Sequence, residues 1–337
     1  MGRFVRDYME NPMSRAWTLL HSVALLASTA LMACSASPEM MDEEDVSSGS
    51  EAILNGSPAG EKFAAVGAIV LDLPEFGYYD VLCTVTLVAD KAVVSARHCM
   101  PSVQNALDLG GGAYVAFGPD VNQGMGAQMI PISGYITAPP SPTGAGLLMD
   151  GGRDISVVYL ESKPRNVKPV KIGRWENRML GEKFQMAGYG WRDVNGSVGK
   201  RFYGVGTARA IKGDWYPLLF KNKKDKFLDW YYTDAVTIPT PEEAEFWWSS
   251  FALEKDYELL AGALPGEAVG CFGDSGGPLL QGSNANNLTT YGVEFAGEST
   301  FSTICGLGNA YTVFNRTMEK FVEDAIKKPC KGGHGRR

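Results

Sequence analysis

With 337 residues, 45% of them hydrophobic and 20% charged, the chain is long enough for one large or two small cores. Its 40 glycines favour a turn-rich fold of many short strands and argue against a helical bundle. The formal net charge of -7, with no basic stripe interleaved with aromatics, argues against a nucleic-acid partner.

The N-terminus reads as a targeting segment. Residues 17–33 (WTLLHSVALLASTALMA) are apolar, follow Arg15 and end in small residues just before Cys34. The run is too short and too poorly flanked for a stable membrane span, so residues 1–33 are expected to be a signal peptide. Met13 is a plausible true start, because Asp7 and Glu10 stand where a signal should be basic. Leu31-Met32-Ala33-Cys34 resembles the lipobox of bacterial lipoproteins, which implies lipidation of Cys34 and a membrane anchor. The alternative is a plain secretory signal beside a coincidental cysteine. Either way the expected location is exported: an outer-membrane lipoprotein or an extracellular protein.

Residues 34–52 are acidic and polar, with almost nothing to bury, and read as a linker or pro-segment. At Ile53 the character changes. Short apolar runs follow at Ala65–Leu71, Leu82–Val88, Ala92–Ala96, Ala113–Phe117, Ile155–Leu160, Phe184–Ala187, Thr289–Phe295 and Ala310–Phe314. Several alternate with period two, the strand signal, and their spacing by Gly-rich turns predicts an all-β sandwich or barrel. Residues 215–258 are rich in tryptophan and tyrosine amid charges. They read either as a packed surface insertion or as a binding surface, since exposed aromatics often anchor partners. Met318, Phe321, Val322 and Ile326 recur at helical spacing, which predicts an amphipathic helix over 316–327 before a basic tail, 328–337.

Export permits disulfides. Apart from Cys34, the cysteines are Cys83, Cys99, Cys271, Cys305 and Cys330, an odd number, and Cys330 in the tail is the expected leftover.

Gly273-Asp274-Ser275-Gly276-Gly277 places a serine in a segment whose backbone folds tightly, because glycine adopts conformations closed to other residues. Such a loop is either an ordinary turn or a place where main-chain N–H groups converge on an oxyanion. A serine hydroxyl needs a base, usually histidine. His21 lies in the signal segment and His334 in the tail, which leaves His98 as the one histidine of the folded region. A single histidine also cannot build a zinc site of the usual kind, so no metal is expected. The third group should be a carboxylate that orients the imidazole. Asp154, heading the apolar run 155–160, is the candidate, with Asp150 as a competitor followed by two glycines.

Together these residues resemble the trypsin/chymotrypsin family of serine proteases. Ser95-Ala96-Arg97-His98-Cys99 is similar to that family's histidine motif, the run from Asp154 to its aspartate strand, and Gly273 to Pro278 to its serine loop. The order His, Asp, Ser separates it from subtilisins and α/β-hydrolases. The resemblance covers residues 53–327. It implies two six-stranded antiparallel β-barrels, about 53–165 and 166–315, with the C-terminal helix 316–327. It further implies Ser275 as nucleophile, His98 as general base, Asp154 as orienting carboxylate, and the Gly273 and Ser275 N–H groups as oxyanion hole. It pairs Cys83 with Cys99 and Cys271 with Cys305, and it calls for no cofactor. Ile53-Leu54-Asn55-Gly56 resembles the family's mature start, which implies a zymogen cut before Ile53 whose new amine pairs with Asp274. Ala52 precedes that bond, so an activating protease other than a trypsin-like one is expected.

Three positions depart from the family. Val269, six residues before the serine, replaces the aspartate that reads basic side chains in trypsin-like members. Phe295-Ala296-Gly297 replaces Ser-Trp-Gly, which removes a serine usually found beneath the aspartate–histidine pair. Asn309 stands where a pocket glycine is common. The expected preference is therefore for an apolar side chain before the scissile bond, in a protein or peptide substrate. The competing reading is a protease-fold binding or scaffold protein with little activity.

Overall fold

Branched apolar residues at alternating positions make strands because they pack well on a pleated, half-buried surface. In the computed structural model six strands close into a first barrel. They are β1 (Val66–Leu73), β2 (Tyr78–Ala89), β3 (Ala92–Ser95), β4 (Gly112–Phe117), β5 (Gln128–Thr137) and β6 (Ser156–Leu160). Around the barrel the order is β1-β2-β3-β6-β5-β4, with β4 returning to β1 and every pair antiparallel. The structure describes residues 53, 55–122, 126–144, 146, 152–191, 197–234, 240–262, 264, 266–297 and 305–327. The signal segment, the acidic linker, Cys34, Asp150 and Cys330 lie outside the described residues.

A second barrel repeats the scheme with β7 (Lys183–Gly188), β8 (Phe202–Ala210), β9 (Glu258–Ala261), β10 (Pro278–Gln281), β11 (Thr289–Gly297) and β12 (Asn309–Val313). Its order, β7-β8-β9-β12-β11-β10 and back to β7, is the same cyclic pattern. Closure leaves neither sheet with a bare edge.

β5, β8, β9 and β10 are not foreshadowed by an apolar run. β5 contains Pro131 and a register shift between Ile132 and Gly134. β8 contains Gly204, where a Cβ would stand 2.2 Å from that of Ala268, so close packing between segments excludes a side chain there. β9 begins at the charged but fully buried Glu258. Tertiary packing overrides local propensity at each of these places.

The first core centres on Ile69, Val85, Leu87, Val94, Val115 and Val157, all fully buried. Each such side chain contributes about 1.5–3 kcal/mol. A helix, α1 (Met100–Asp108), follows the histidine segment and buries Met100, Val103 and Ala106. The aromatic region folds into α2 (Trp215–Leu219), α3 (Lys224–Asp234) and α4 (Pro241–Ser250), whose start carries a capping box between Thr240 and Glu243. Trp215, Tyr216 and Phe227 are buried in a cluster with Leu260, Phe295 and Ala310 of the second barrel, with Trp230, Trp247 and Trp248 packed against it. Most of the aromatic surface in this insertion is therefore spent on internal packing. The chain ends in α5 (Arg316–Lys327), which buries Met318, Val322 and Ala325 in the first core, and Tyr159 Oη donates to the Ala325 carbonyl at 3.1 Å. Asn315 caps the helix, accepting from the Thr317 and Met318 N–H groups at 3.0 Å each.

Two disulfides tie the barrels internally. Cys83–Cys99 closes a 16-residue separation and Cys271–Cys305 one of 34. By loop entropy they stabilise the fold by about 3 and about 4 kcal/mol.

Candidate active site

Three segments converge between the barrels. β3 ends at Ser95 and the chain turns through Ala96 and Arg97 to His98. A disulfide braces this turn: the sulfurs of Cys83 and Cys99 and a ring nitrogen of His98 lie within 4.8 Å of one another. Asp154 stands two residues before β6, which pairs with β3, so the register Ser95 to Ser156 brings the acid beside the histidine.

The contact is close. His98 Nδ1 lies 2.6 Å from Asp154 Oδ2, and the His98 main-chain N–H donates to Oδ1 at 2.9 Å. Both carboxylate oxygens are thus committed to one residue, which fixes the plane of the imidazole. Burial alone would push the Asp154 carboxyl up. The charge and hydrogen bonds of His98, with the Arg97 guanidinium nearby, outweigh it and hold the group below its ordinary value. Asp154 is therefore ionised wherever the fold persists near neutrality.

The supporting residues were not legible as functional. Arg97, 8% exposed, donates to the carbonyls of Ala138 (3.1 Å) and Gly152 (2.9 Å), clamping the strand and turn that lead to Asp154. Thr312 Oγ1 accepts from the Asp154 N–H at 3.1 Å. The family serine missing at Phe295 is not replaced in kind: Phe295 is buried in the insertion's aromatic cluster. Arg153 adopts φ 54°, unusual for a residue with a Cβ, and is held there by Glu254 at 3.0 Å and by the Tyr257 ring at 3.9 Å.

Ser275 comes from the second barrel, three residues before β10. Its loop is pinned to the first barrel by Thr84: the Thr84 N–H donates to the Ser275 carbonyl at 2.8 Å, and Thr84 Oγ1 donates to the Gly273 carbonyl at 2.9 Å. Gly276, at φ 89°, is pressed so close that a Cβ would stand 2.0 Å from the Thr84 carbonyl and 2.3 Å from Ser95 Oγ. The residue after the serine therefore packs against the strand end that leads to His98. Among the described residues the N–H groups of Gly273 and Ser275 donate to nothing, whereas the Asp274 N–H between them is bonded to the Cys271 carbonyl. Two unspent donors flank one used donor, the arrangement an oxyanion site needs.

Asp274 is fully buried. Its oxygens accept from the Gly190 and Cys271 N–H groups at 2.8 Å each, and burial pushes its pKa up to about 6. No ion pair among the described residues involves it. Ile53, the other expected member of that pair, is fully buried in the second barrel's core, where Gly204 and Ala268 approach it. In the uncut chain Ile53 has an amide and no amine.

One of the three expected pocket positions, Asn309, is bonded to a residue not singled out from sequence, Glu294. Val269 is buried, Asn309 is fully buried, and Asn309 Nδ2 stands 3.0 Å from where a Cβ on Gly297 would be. Asn309 Oδ1 accepts from the Gly270 N–H at 2.8 Å, and its Nδ2 donates to Glu294 Oε1 at 2.7 Å. Beside the serine, Phe272 and Trp191 are exposed and packed on each other with ring centroids 5.2 Å apart.

Residues 71–210 match the family model described as trypsin. Among solved structures the chain is similar to mouse neuropsin, a serine protease expressed in the limbic system of the brain, with 18% sequence identity and a TM-score of 0.51. That similarity covers 80% of this chain and 98% of the other. No curated protein matches the sequence.

Proposed function

We propose that the chain, which has the chymotrypsin-like fold and matches the trypsin family model over residues 71–210, is an exported serine endopeptidase of that family using Ser275, His98 and Asp154. The observation that carries this reading is the doubly bonded Asp154–His98 pair, with a glycine-built serine loop packed against the strand end that leads to His98. Ser275 Oγ attacks the scissile carbonyl while His98 takes its proton on Nε2 and the Nδ1–H stays on Asp154. The tetrahedral oxyanion receives the Gly273 and Ser275 N–H groups. Collapse breaks the C–N bond, with His98 returning the proton to the leaving amine, and leaves an acyl ester on Ser275. Water then attacks that ester as His98 again accepts a proton, and the acid product leaves with the serine restored.

Asp154→Asn tests the orienting role. The amide presents an N–H where His98 Nδ1 needs an acceptor, so kcat is expected to fall about 10⁴-fold with the fold retained. A folded variant with more than a tenth of wild-type turnover would remove Asp154 from the mechanism.

Cleavage before Ile53 activates the protein and separates it from a lipid on Cys34, so the enzyme is a tethered zymogen released on maturation. Fatty-acid labelling of intact cells is expected to mark the wild-type chain and not Cys34→Ala; equal label in both sinks the anchor. Val269, buried where an acid would read a basic side chain, supports a preference for an apolar residue before the scissile bond.

A further inference from the structure

Glu294 is a buried acid that the catalytic steps do not use. It lies in β11 and is 4% exposed. Its main chain supports the serine loop directly: the carbonyl accepts from the Gly276 N–H at 2.7 Å, and the Glu294 N–H donates to the Gly277 carbonyl at 2.8 Å. Its carboxyl group is fully engaged. Oε1 accepts from Asn309 Nδ2 at 2.7 Å, and Oε2 is bonded to Tyr311 Oη at 2.9 Å.

The position of that carboxyl matters more than its chemistry. A Cβ on Gly270 would stand 2.2 Å from Glu294 Oε1 and 2.8 Å from Oε2. The room a side chain at 270 would take is therefore already filled by Glu294. The same holds across the site, where Asn309 Nδ2 fills the space beside Gly297. The space beside Gly270 and beside Gly297 is thus taken by a glutamate and an asparagine. Asn309 and Tyr311 are fully buried and Val269 is 3% exposed. Burial, reinforced by the nearby Asp274 charge, pushes the Glu294 carboxyl well above its ordinary range. A neutral acid bonded to Tyr311 and Asn309 is satisfied without any cationic partner.

We infer that Glu294 and Asn309 floor the specificity pocket at shallow depth, so that the site takes a small uncharged side chain such as alanine. This rests on the endopeptidase reading above and deepens it. It has a consequence within the chain's own sequence. The residue before the activation bond is Ala52, so a second copy of this chain, once mature, meets its own side-chain requirement at Ala52–Ile53.

The test uses protein matured to begin at Ile53 and the decapeptide of residues 48–57, with position 52 as Ala, Val, Phe or Arg. The Ala and Val peptides are expected to be cut with kcat/KM at least about tenfold above Phe and Arg, the scale by which hydrophobic pockets discriminate size. Glu294→Ala should raise Phe relative to Ala by at least about tenfold, and Glu294→Gln, which keeps the volume, should hold the wild-type ranking. Should Glu294→Ala fail to fold, the wild-type ranking and Glu294→Gln decide alone. Preference for Arg that Glu294→Gln abolishes would show a cation-reading acid and overturn the inference; preference for Phe in the wild type would overturn it as well. Fluorophosphonate labelling of Ser275 separates the two levels: labelled protein with the wrong ranking sinks only the pocket, while unlabelled protein that cuts no peptide sinks the endopeptidase.

Discussion

Ser275→Ala is expected to lower kcat roughly 10⁶-fold and His98→Ala by about as much, with no further loss when the two are combined. The expectation follows from how the groups act. A serine hydroxyl is a poor nucleophile until a base takes its proton, and the base is useless without the hydroxyl, so the pair fails as a unit. The geometry leaves no spare base: among the described residues His98 is the one histidine, and its Nδ1 is committed to Asp154. Turnover of a peptide ester by matured protein measures the loss, and a fluorophosphonate probe with peptide mapping locates the reactive oxygen. Label on wild type and Glu294→Gln but not on Ser275→Ala is the expected pattern. Labelling of Ser275→Ala, or retention of a hundredth of wild-type turnover, would place the nucleophile elsewhere.

Asp274 is expected to provide the second large effect, running in opposite directions before and after the proposed maturation. In the uncut chain its folded pKa is about 6 against an ordinary 3.8. A folded carboxyl that holds its proton more tightly than the unfolded one makes stability fall as pH rises between those values. Below about pH 4 no penalty exists; above about pH 6 it is complete, at about 3 kcal/mol. The cause is a charge buried among main-chain N–H groups with no countercharge among the described residues, the situation that favours recruiting a cation. An ammonium at Ile53, freed by cleavage, is the proposed recruit. In the Ser275→Ala background, urea unfolding of the uncut chain should weaken by about 3 kcal/mol from pH 4 to pH 7 relative to the same chain carrying Asp274→Asn. Protein beginning at Ile53 should show no such loss. In catalytically competent mature protein Asp274→Asn should cost at least about 10²-fold in kcat/KM, because Asp274 sits between the two oxyanion donors and fixes both. A mature Asp274→Asn enzyme of full activity, or an uncut chain with no difference between Asp and Asn across that pH range, would break the switch.

Much of the site was legible because its signals are local. A serine between glycines, a single histidine outside the signal and tail, and an aspartate heading an apolar strand can each be read within a few residues. The C-terminal helix was legible for the same reason: its periodicity of about 3.6 is written in twelve consecutive positions, Arg316–Lys327. The resemblance paired the cysteines, and the bridges Cys83–Cys99 and Cys271–Cys305 follow it.

What was not legible depends on residues far apart in the chain. Thr84 meets Gly273 across 189 positions, and Asp154 meets Thr312 across 158. A threonine in a strand looks the same whether it faces water or holds a serine loop. Glu294 did leave a trace, a lone acid between Val293 and Phe295 in an otherwise apolar strand. Period two tells only that it faces away from those neighbours, and not what lies opposite. The sequence by itself determined the proposed chemistry, because the proposed nucleophile, base and acid are residue types at short-range motifs. Only the tertiary structure showed the packing of Glu294 and Asn309 and the burial of Asp274. Burial and side-chain packing are properties of the space between strands, and barrel closure creates that space.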